Sequence, residues 1–339
     1  MIRRIVPPVA LVVGSVLLTL LLGEALLRTL GYQPRQIVLN PNFWITGWAE
    51  MDPELGWKNR QGSFRSVEPG NALMSFEADG RRHDPIGSKG PDVPKILVVG
   101  CSFTQGEGIP DNEPYSHVIN RALPDFEVLN FGTGGYGTYQ SLLRMRSYFR
   151  ASHPPTPLVI YGLSGHHATR NVATADWVSM LTTRDGRYLV PPHVRRSGDH
   201  FIEVQNSPIG LWPLETRSAL ITLVHLSAMQ RMRGATWAEK IAVLHELLRR
   251  MNDTARDNKA SLLVVGQVEI GASEVDWMRQ EGIDYVDCEH PDHPHPALRV
   301  GGWGHPNGRM HRYWAKCVLK ALADRGYAVP TGAVAEPVN

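Results

Sequence analysis

The sequence of 339 residues has little cysteine and almost no net charge. No two of its three cysteines, Cys101, Cys288 and Cys317, have the short spacing of a zinc motif, which excludes a zinc finger. The odd count argues against a disulfide framework, although one Cys288–Cys317 bridge is compatible with an exported protein. A net charge of +2 without a long basic stripe gives no electrostatic case for nucleic-acid binding.

Charged residues are also missing from Ile5 to Gly23, a run long enough to cross a bilayer as a helix. Arg3 and Arg4 precede this run and Glu24 follows it. We therefore predict a single-pass anchor over residues 1–30 in the inner membrane, with the N-terminus inside and the rest on the periplasmic or other extracytoplasmic side. A cleaved signal peptide is the alternative. The apolar pattern continues through Leu30, which favours the anchor.

The rest of the chain divides into an irregular part and a regular part. Residues 31–94 are rich in Trp, Pro and Gly without a sustained period, which predicts an extended segment that wraps the domain. From 95 to 330, short apolar runs alternate with helical patterns about five times. This alternation predicts an α/β fold, a three-layer α/β/α sandwich with a central parallel sheet. A polar insertion at about 173–216 is a natural place for a lid or a substrate-binding loop.

The individual elements follow from the same patterns. Asp111 or Asn112 is the expected cap of the first helix in the domain. The predicted strands are 96–99, 126–129, 158–163, 261–265 and 285–287, and the predicted helices are 114–123, 139–150, 238–251, 275–281 and 307–324.

The residues that follow these strands supply the parts of a nucleophilic site. Ser102 follows the first strand, a glycine-rich segment at 130–137 follows the second, His166 and His167 follow the third, and His305 precedes the last helix. The carboxyl ends of parallel strands meet at one edge of the sheet. A serine hydroxyl needs a base such as histidine, and the N–H groups of glycine-rich turns stabilise an oxyanion.

These blocks resemble those of the SGNH, or GDSL-like, hydrolase superfamily, in particular its membrane-anchored bacterial members. The family's G-D-S-F-T-x-G-x-G block reads G-C-S-F-T-Q-G-E-G at 100–108, and its N-x-G-x-x-G-Y-G block lies at 130–137. The segment Asp52–Trp57 resembles the lead-in of such proteins. The resemblance covers roughly 52–324 and implies a flavodoxin-like sheet order, with Ser102 as nucleophile and His305 as general base.

The same resemblance implies the rest of the chemistry. The backbone N–H groups of Ser102 and Gly135 would bind the oxyanion, together with His166 in the place of the family's asparagine. The expected substrate is an acylated, usually acetylated, glycan, and the acyl group would pass to water or to a sugar hydroxyl. No cofactor and no metal is expected, and the expected partners are the membrane and this carbohydrate.

Three positions depart from the family pattern. Cys101 stands in place of the aspartate before the serine, and His166 in place of the oxyanion asparagine. Gly302 and Trp303 occupy the positions of the acid that orients the catalytic histidine. We expect Asp287, Asp292 or a backbone carbonyl to orient His305 instead.

Two alternatives follow from these departures and from a neighbouring loop. One is a weakly active or inactive relative that binds glycans or serves in an assembly. The other is a metal-dependent enzyme that uses the histidines of residues 290–295, although their alternation with proline is more typical of an exposed loop. Trp303, two residues before His305, is a candidate platform for stacking a sugar ring.

Overall fold

The structure is a computed structural model, and it describes residues 6–36, 47–151, 154–183 and 185–330. The basic residues Arg3 and Arg4 lie outside this part. The chain forms two compact units. The smaller comprises Met1–Leu39, Thr174–Val190 and Pro208–Gly234, and the larger comprises Asn40–Ala173, Pro191–Ser207 and Ala235–Asn339.

The elements are numbered in chain order. The strands are β1 (Ala49–Asp52), β2 (Gly56–Asn59), β3 (Gly62–Arg65), β4 (Leu73–Phe76), β5 (Lys95–Val99), β6 (Glu127–Asn130), β7 (Leu158–Ser164), β8 (Tyr188–Val190), β9 (His193–Ser197), β10 (His200–Val204), β11 (Ser207–Ile209), β12 (Ser261–Val268) and β13 (Asp284–Asp287). The helices are α1 (Val6–Thr29), α2 (Ser102–Gln105), α3 (Tyr115–Ala122), α4 (Thr138–Arg150), α5 (His167–Asn171), α6 (Ala175–Met180), α7 (Ala219–Arg233), α8 (Trp237–Asp257), α9 (Ala272–Gln280) and α10 (Gly308–Asp324).

A five-stranded parallel sheet in the order β13-β12-β7-β5-β6 forms the centre of the larger unit. The chain enters at β5, adds β6 on one side and then crosses over to add β7, β12 and β13 on the other. The order reverses beside the carboxyl end of β5, and such a switch point is where open α/β sheets bind their ligands. The predicted parallel sheet and its flavodoxin-like order are therefore confirmed.

Helices cover both faces of this sheet. Successive side chains of a strand point to opposite faces, and Ile96 and Val98 of β5 share a buried cluster with Ile119 of α3 and with Trp314 and Val318 of α10. On the other face, α4 packs against α5, α8 and β5. The arrangement is the predicted three-layer sandwich.

The start of α3 differs from the prediction. The helix begins at Tyr115 with Pro114 at its N-cap, and neither Asp111 nor Asn112 caps it. The Asp111 carboxylate instead accepts hydrogen bonds from the Ser75 N–H and the buried Arg82 guanidinium. The predicted cap was wrong because residues far away in the sequence bind the Asp111 carboxylate.

The segment before the sheet is more regular than its sequence pattern indicated. Within it, β1 pairs with β2 and β3 pairs with β4, each in an antiparallel hairpin. The strands have four residues each, too few for a period of two to be recognised. The indole N–H of Trp57 donates to the Gly134 carbonyl at 2.9 Å, so this segment packs against the glycine-rich block.

The smaller unit contains the apolar helix and much of the polar insertion. The helical segment 8–29 is long and apolar enough to cross a membrane, with a mean hydropathy of 2.3. Near the end of α1, the Glu24 carboxylate accepts hydrogen bonds from the Ser218 hydroxyl and from the N–H groups of Ala219 and Leu220, at the start of α7. No pattern in the sequence predicted α7. The lid role of the insertion stays a prediction.

The disulfide left open by the sequence is present. Cys288 follows β13 and Cys317 lies in α10, and their Cα atoms are 5.7 Å apart. The bridge ties the edge strand of the sheet to the last helix.

Candidate active site

Ser102 lies in the turn that follows the buried strand β5. It is the first residue of the short helix α2 and is 5% exposed. Position 100 requires glycine because a Cβ there would lie 2.3 Å from Thr104 Oγ1. Gly106 ends the turn in the left-handed region with φ 77°, a conformation that favours glycine. The sequence block thus builds a tight strand-to-helix turn with the serine at its apex.

The glycine-rich block packs directly against this turn. A Cβ on Gly132 would lie 2.3 Å from the Gln105 nitrogen, so only glycine allows this approach. The Asn130 side chain donates to the Thr104 carbonyl at 2.8 Å and accepts from the Gly132 N–H at 2.9 Å. Asn130 therefore fixes the two blocks to each other.

The two predicted backbone donors have free N–H groups. Among the described residues, neither the Ser102 N–H nor the Gly135 N–H donates to an acceptor in the protein. Gly135 is buried and has φ +80°, a conformation that favours glycine. Buried donors without a partner are costly unless a ligand uses them, which fits an oxyanion site.

The carboxylate that contacts His305 is that of Glu68, in the loop between β3 and β4. The His305 N–H donates to Glu68 Oε2 at 3.0 Å, and the ring Nδ1 is hydrogen-bonded to Glu68 Oε1. Gly108 and Gly304 make room for this carboxylate, since a Cβ on either would lie 2.8 Å or 2.4 Å from Glu68 Oε2. Both ends of the carboxylate are thus engaged with one histidine.

This finding corrects the expected orienting acid. Asp287 Oδ1 accepts from the Glu289 N–H, and neither Asp287 nor Asp292 contacts His305 among the described residues. Asp287 ends β13, which is separated from β5 by β7 and β12. At about 4.8 Å between neighbouring strands, that is roughly 14 Å from the strand that carries Ser102.

The other ring nitrogen of His305 faces a second buried carboxyl group. His305 Nε2 lies 3.7 Å from Glu107 Oε2, and Glu107 is 3% exposed. Burial raises the pKa of Glu107, and Glu68 raises it further, although His305 works against both. Burial alone would lower the pKa of His305, but the charges of Glu107 and Glu68 outweigh burial and raise it.

Ser102 and His305 are linked through Phe103 and not by a direct hydrogen bond in the described structure. The ring of Phe103, next to Ser102, is 5.8 Å from the His305 ring in an edge-on contact. No hydrogen bond joins Ser102 Oγ to His305 in the described part of the chain. Catalytic hydrogen bonds are often long in ligand-free structures and tighten when substrate binds.

The ring of His166 makes a second edge-on contact with Phe103, with 5.5 Å between the ring centroids. Its Nε2 is buried and has no hydrogen-bond partner. Burial, together with the charges of Arg170 and His305, lowers the pKa of His166 to about 2. A neutral imidazole that carries its proton on this unpaired Nε2 would fit the predicted role of oxyanion donor.

The histidines of the 290–295 loop do not form a metal site in the described structure. The Asp292 N–H donates to His290 Nδ1, the Ala297 N–H donates to His295 Nδ1, and His293 Nε2 contacts Arg299. Two other groups of side chains bring three metal-ligating atoms within 4.8 Å of one another: Cys101, His166 and His167, and Glu68, Glu107 and His305.

Comparison with known proteins gives structural likeness alone. No protein-family model and no curated protein matches the chain. Among solved structures, a lipolytic G-D-S-L family protein from Veillonella parvula is 11% identical, with a TM-score of 0.39 over 68% of this chain and 98% of that one. A lipolytic G-D-S-L family protein from Desulfitobacterium hafniense is 14% identical, with a TM-score of 0.36 over 66% and 98%. The SGNH-hydrolase family esterase AlinE4 is 16% identical, with a TM-score of 0.35 over 69% and 97%.

Proposed function

We propose that this chain is a membrane-anchored serine esterase or O-acyltransferase of the SGNH type that acts on an acylated glycan outside the cytoplasm. The contact between Glu68 and His305 carries the proposal. A histidine whose Nδ1 is held by a carboxylate keeps its Nε2 directed toward the reacting groups and is stabilised when it takes a proton. The motif lacks this acid locally, and Glu68 supplies it.

The reaction would follow the acyl-enzyme route. Ser102 Oγ attacks the acyl carbonyl carbon and gives its proton to His305 Nε2, while the N–H groups of Ser102 and Gly135, with His166, stabilise the oxyanion. The tetrahedral intermediate expels the alcohol, which takes the proton from His305. Water or a sugar hydroxyl then attacks the acyl-enzyme, His305 accepts its proton, and Ser102 is restored as a hydroxyl.

The glycan part of the proposal draws on the surroundings of His305. Trp303 is 72% exposed and stands two residues before the partly exposed His305. An exposed aromatic face beside a reactive group suits a sugar ring, whose apolar face packs on an indole. Acetylated glycan is therefore the substrate class to assay first.

The location outside the cytoplasm is supported by two separate features. An apolar α1 with no buried residues in its window suits a bilayer. A Cys288–Cys317 disulfide suits an oxidising compartment and is rare in the cytosol. A reporter enzyme that is active only in the periplasm, fused after Asn339, should be active, and activity confined to a cytoplasmic reporter at the same position would contradict this location.

An activity probe tests the nucleophile. The full chain in detergent should react covalently with a fluorophosphonate, and the adduct should disappear in Ser102→Ala. The matched control is Ser164→Ala, a second buried serine at a strand end, which should keep the adduct. Absence of labelling in a folded wild-type sample would favour the alternative, an inactive glycan-binding relative.

A further inference from the structure

The residue before the proposed nucleophile lies in a cluster of sulfur and nitrogen atoms. Cys101 Sγ and the ring nitrogens of His166 and His167 lie within 4.8 Å of one another. Cys101 and His167 are fully buried. Cys101 and His166 are also two of the three positions at which the sequence departs from the SGNH pattern, so a thiol and an imidazole stand together where an aspartate and an asparagine are expected.

Two nitrogens of this cluster lack partners. His166 Nε2 and His167 Nε2 are buried, and neither has a hydrogen bond in the described structure. A buried polar atom left unpaired costs about 1–3 kcal/mol, so two at one place indicate a ligand.

The other nitrogen of His167 is already held. Its Nδ1 is 2.7 Å from the Tyr161 hydroxyl oxygen, which in turn donates to Thr138 Oγ1 at 2.8 Å. The contact of this Nδ1 with the Ser164 N–H is long, at 3.4 Å. In the tautomer with the proton on Nδ1, the ring donates to the Tyr161 oxygen, gives up the long contact with the Ser164 N–H and leaves the lone pair on Nε2. A histidine that donates through one nitrogen to a fixed acceptor and offers the other is the usual form of a metal ligand.

We propose that Cys101, His166 and His167 bind one thiophilic divalent metal ion, of which Zn²⁺ is the representative. Thiolate and imidazole together select zinc over magnesium or calcium. Zn–S and Zn–N bonds of about 2.3 and 2.1 Å put tetrahedral ligands about 3.5 Å apart, so shifts of roughly 1 Å close the present cluster around an ion. Three protein ligands leave the fourth position open, as in catalytic zinc sites.

A partly buried cation, Arg170, competes with the ion for the cysteine. The Arg170 guanidinium interacts with the Cys101 sulfur, and it donates to the Tyr136 carbonyl at 2.9 Å. Metal binding would release the sulfur contact and keep the carbonyl contact. The charge of Glu107 favours the charged form of Arg170.

A metal ion at this site would take part in the oxyanion stabilisation of the proposed esterase. An ion beside Ser102 would supply the electrophile that the absent asparagine supplies elsewhere, and His166 would then act as a ligand. This consequence rests on the proposed function, whereas the metal site itself does not.

Metal titration tests the site without using activity. The full chain in detergent, stripped with a chelator, should bind one equivalent of Co²⁺ with a thiolate-to-cobalt absorption band and should retain one Zn²⁺ after desalting. Cys101→Ser should abolish the band and weaken Zn²⁺ binding beyond the ~10–100-fold loss typical of a second-shell partner. His166→Gln should weaken it as well, and the matched control His290→Gln should leave it unchanged. Thermal unfolding of each variant verifies that it is folded.

Three outcomes would overturn the proposal. They are no retained metal in the folded wild type, a cobalt band that survives in Cys101→Ser, and binding that depends on Glu107 or His290 instead. Fluorophosphonate labelling of the same samples separates the two claims. A labelled serine without metal binding overturns the metal site alone, and metal binding without a labelled serine overturns the esterase alone.

Discussion

The serine side and the histidine side of the candidate site are built in different ways. Ser102 is held by residues close to it in sequence, in a turn between a buried strand and a short helix. His305 is held by Glu68, 237 positions earlier in the chain. The difference teaches that a motif can hold a candidate nucleophile locally, while the carboxylate that holds the candidate base comes from a remote loop that no motif records.

Removal of the nucleophile should have the largest effect. Ser102→Ala should lower the turnover of a simple acetyl ester by about 10⁶-fold, as for loss of a triad serine. Steady-state hydrolysis by the full chain in detergent measures this, with Ser164→Ala as the control. A fall of less than tenfold would contradict the role of Ser102.

Loss of the remote acid should come next and tests the histidine side. Glu68→Gln keeps the size of the side chain but removes the charge that holds and stabilises His305, so turnover should fall by about 10⁴-fold. Asp292→Asn, a change at a carboxylate that the sequence favoured, should alter turnover by less than twofold. The reverse ranking of these two variants would restore the original assignment.

A smaller effect should follow from crowding the Glu68 carboxylate. In Gly304→Ala the new Cβ would lie 2.4 Å from Glu68 Oε2 and 2.9 Å from the Val300 carbonyl oxygen. Displacement of a catalytic group by about 1 Å costs up to roughly 10²-fold in rate. Gly210→Ala, where an added Cβ meets nothing within 4 Å, is the matched control. Equal rates in the two variants would contradict the role of Gly304 in leaving space for the Glu68 carboxylate.

The pH dependence should distinguish the two carboxylates that face His305. General-base action needs neutral His305, so the rate of acylation rises as pH rises through the pKa of His305 in the folded protein. Since Glu107 and Glu68 together raise that pKa against the effect of burial, the inflection should lie above the ordinary histidine pKa. Glu107→Gln should move the inflection to lower pH, and a profile that does not move would exclude Glu107 from this interaction.

The disulfide should affect stability and leave the site's activity nearly unchanged. The bridge closes a loop with a sequence separation of 29, so its loss should lower the free energy of unfolding by about 3.5 kcal/mol. Denaturant unfolding of the Cys288→Ser/Cys317→Ser double variant measures this. Loss of fluorophosphonate labelling at 25 °C in a folded sample would show that the bridge also shapes the site.

Sequence predicted the parts of the molecule that depend on short-range patterns. The strand before Ser102 is a continuous apolar run, and the amphipathic pattern behind α8 and α10 is long enough to be unambiguous. These elements fix the sheet edge, and with it the approximate place of Ser102 and Gly135.

The remainder depended on tertiary contacts that no local pattern encodes. Glu68 lies between two four-residue strands, in a segment read as extended, and nothing near it in sequence marks it as the partner of His305. One signal was present: Gly108 and Gly304 both leave space for the same carboxylate. Of the two, Gly304 is adjacent to His305 in sequence, and a glycine there permits a close approach without saying which residue approaches.

The direct test of the account is a double-mutant cycle between Glu68 and His305. The turnover of Glu68→Gln, of His305→Ala and of the double variant is measured on one acetyl ester, relative to the wild type. Because Glu68 acts through His305, we expect the double variant to be no slower than His305→Ala alone. Losses that multiply in the double variant would show that Glu68 acts independently of His305, and would contradict the assignment.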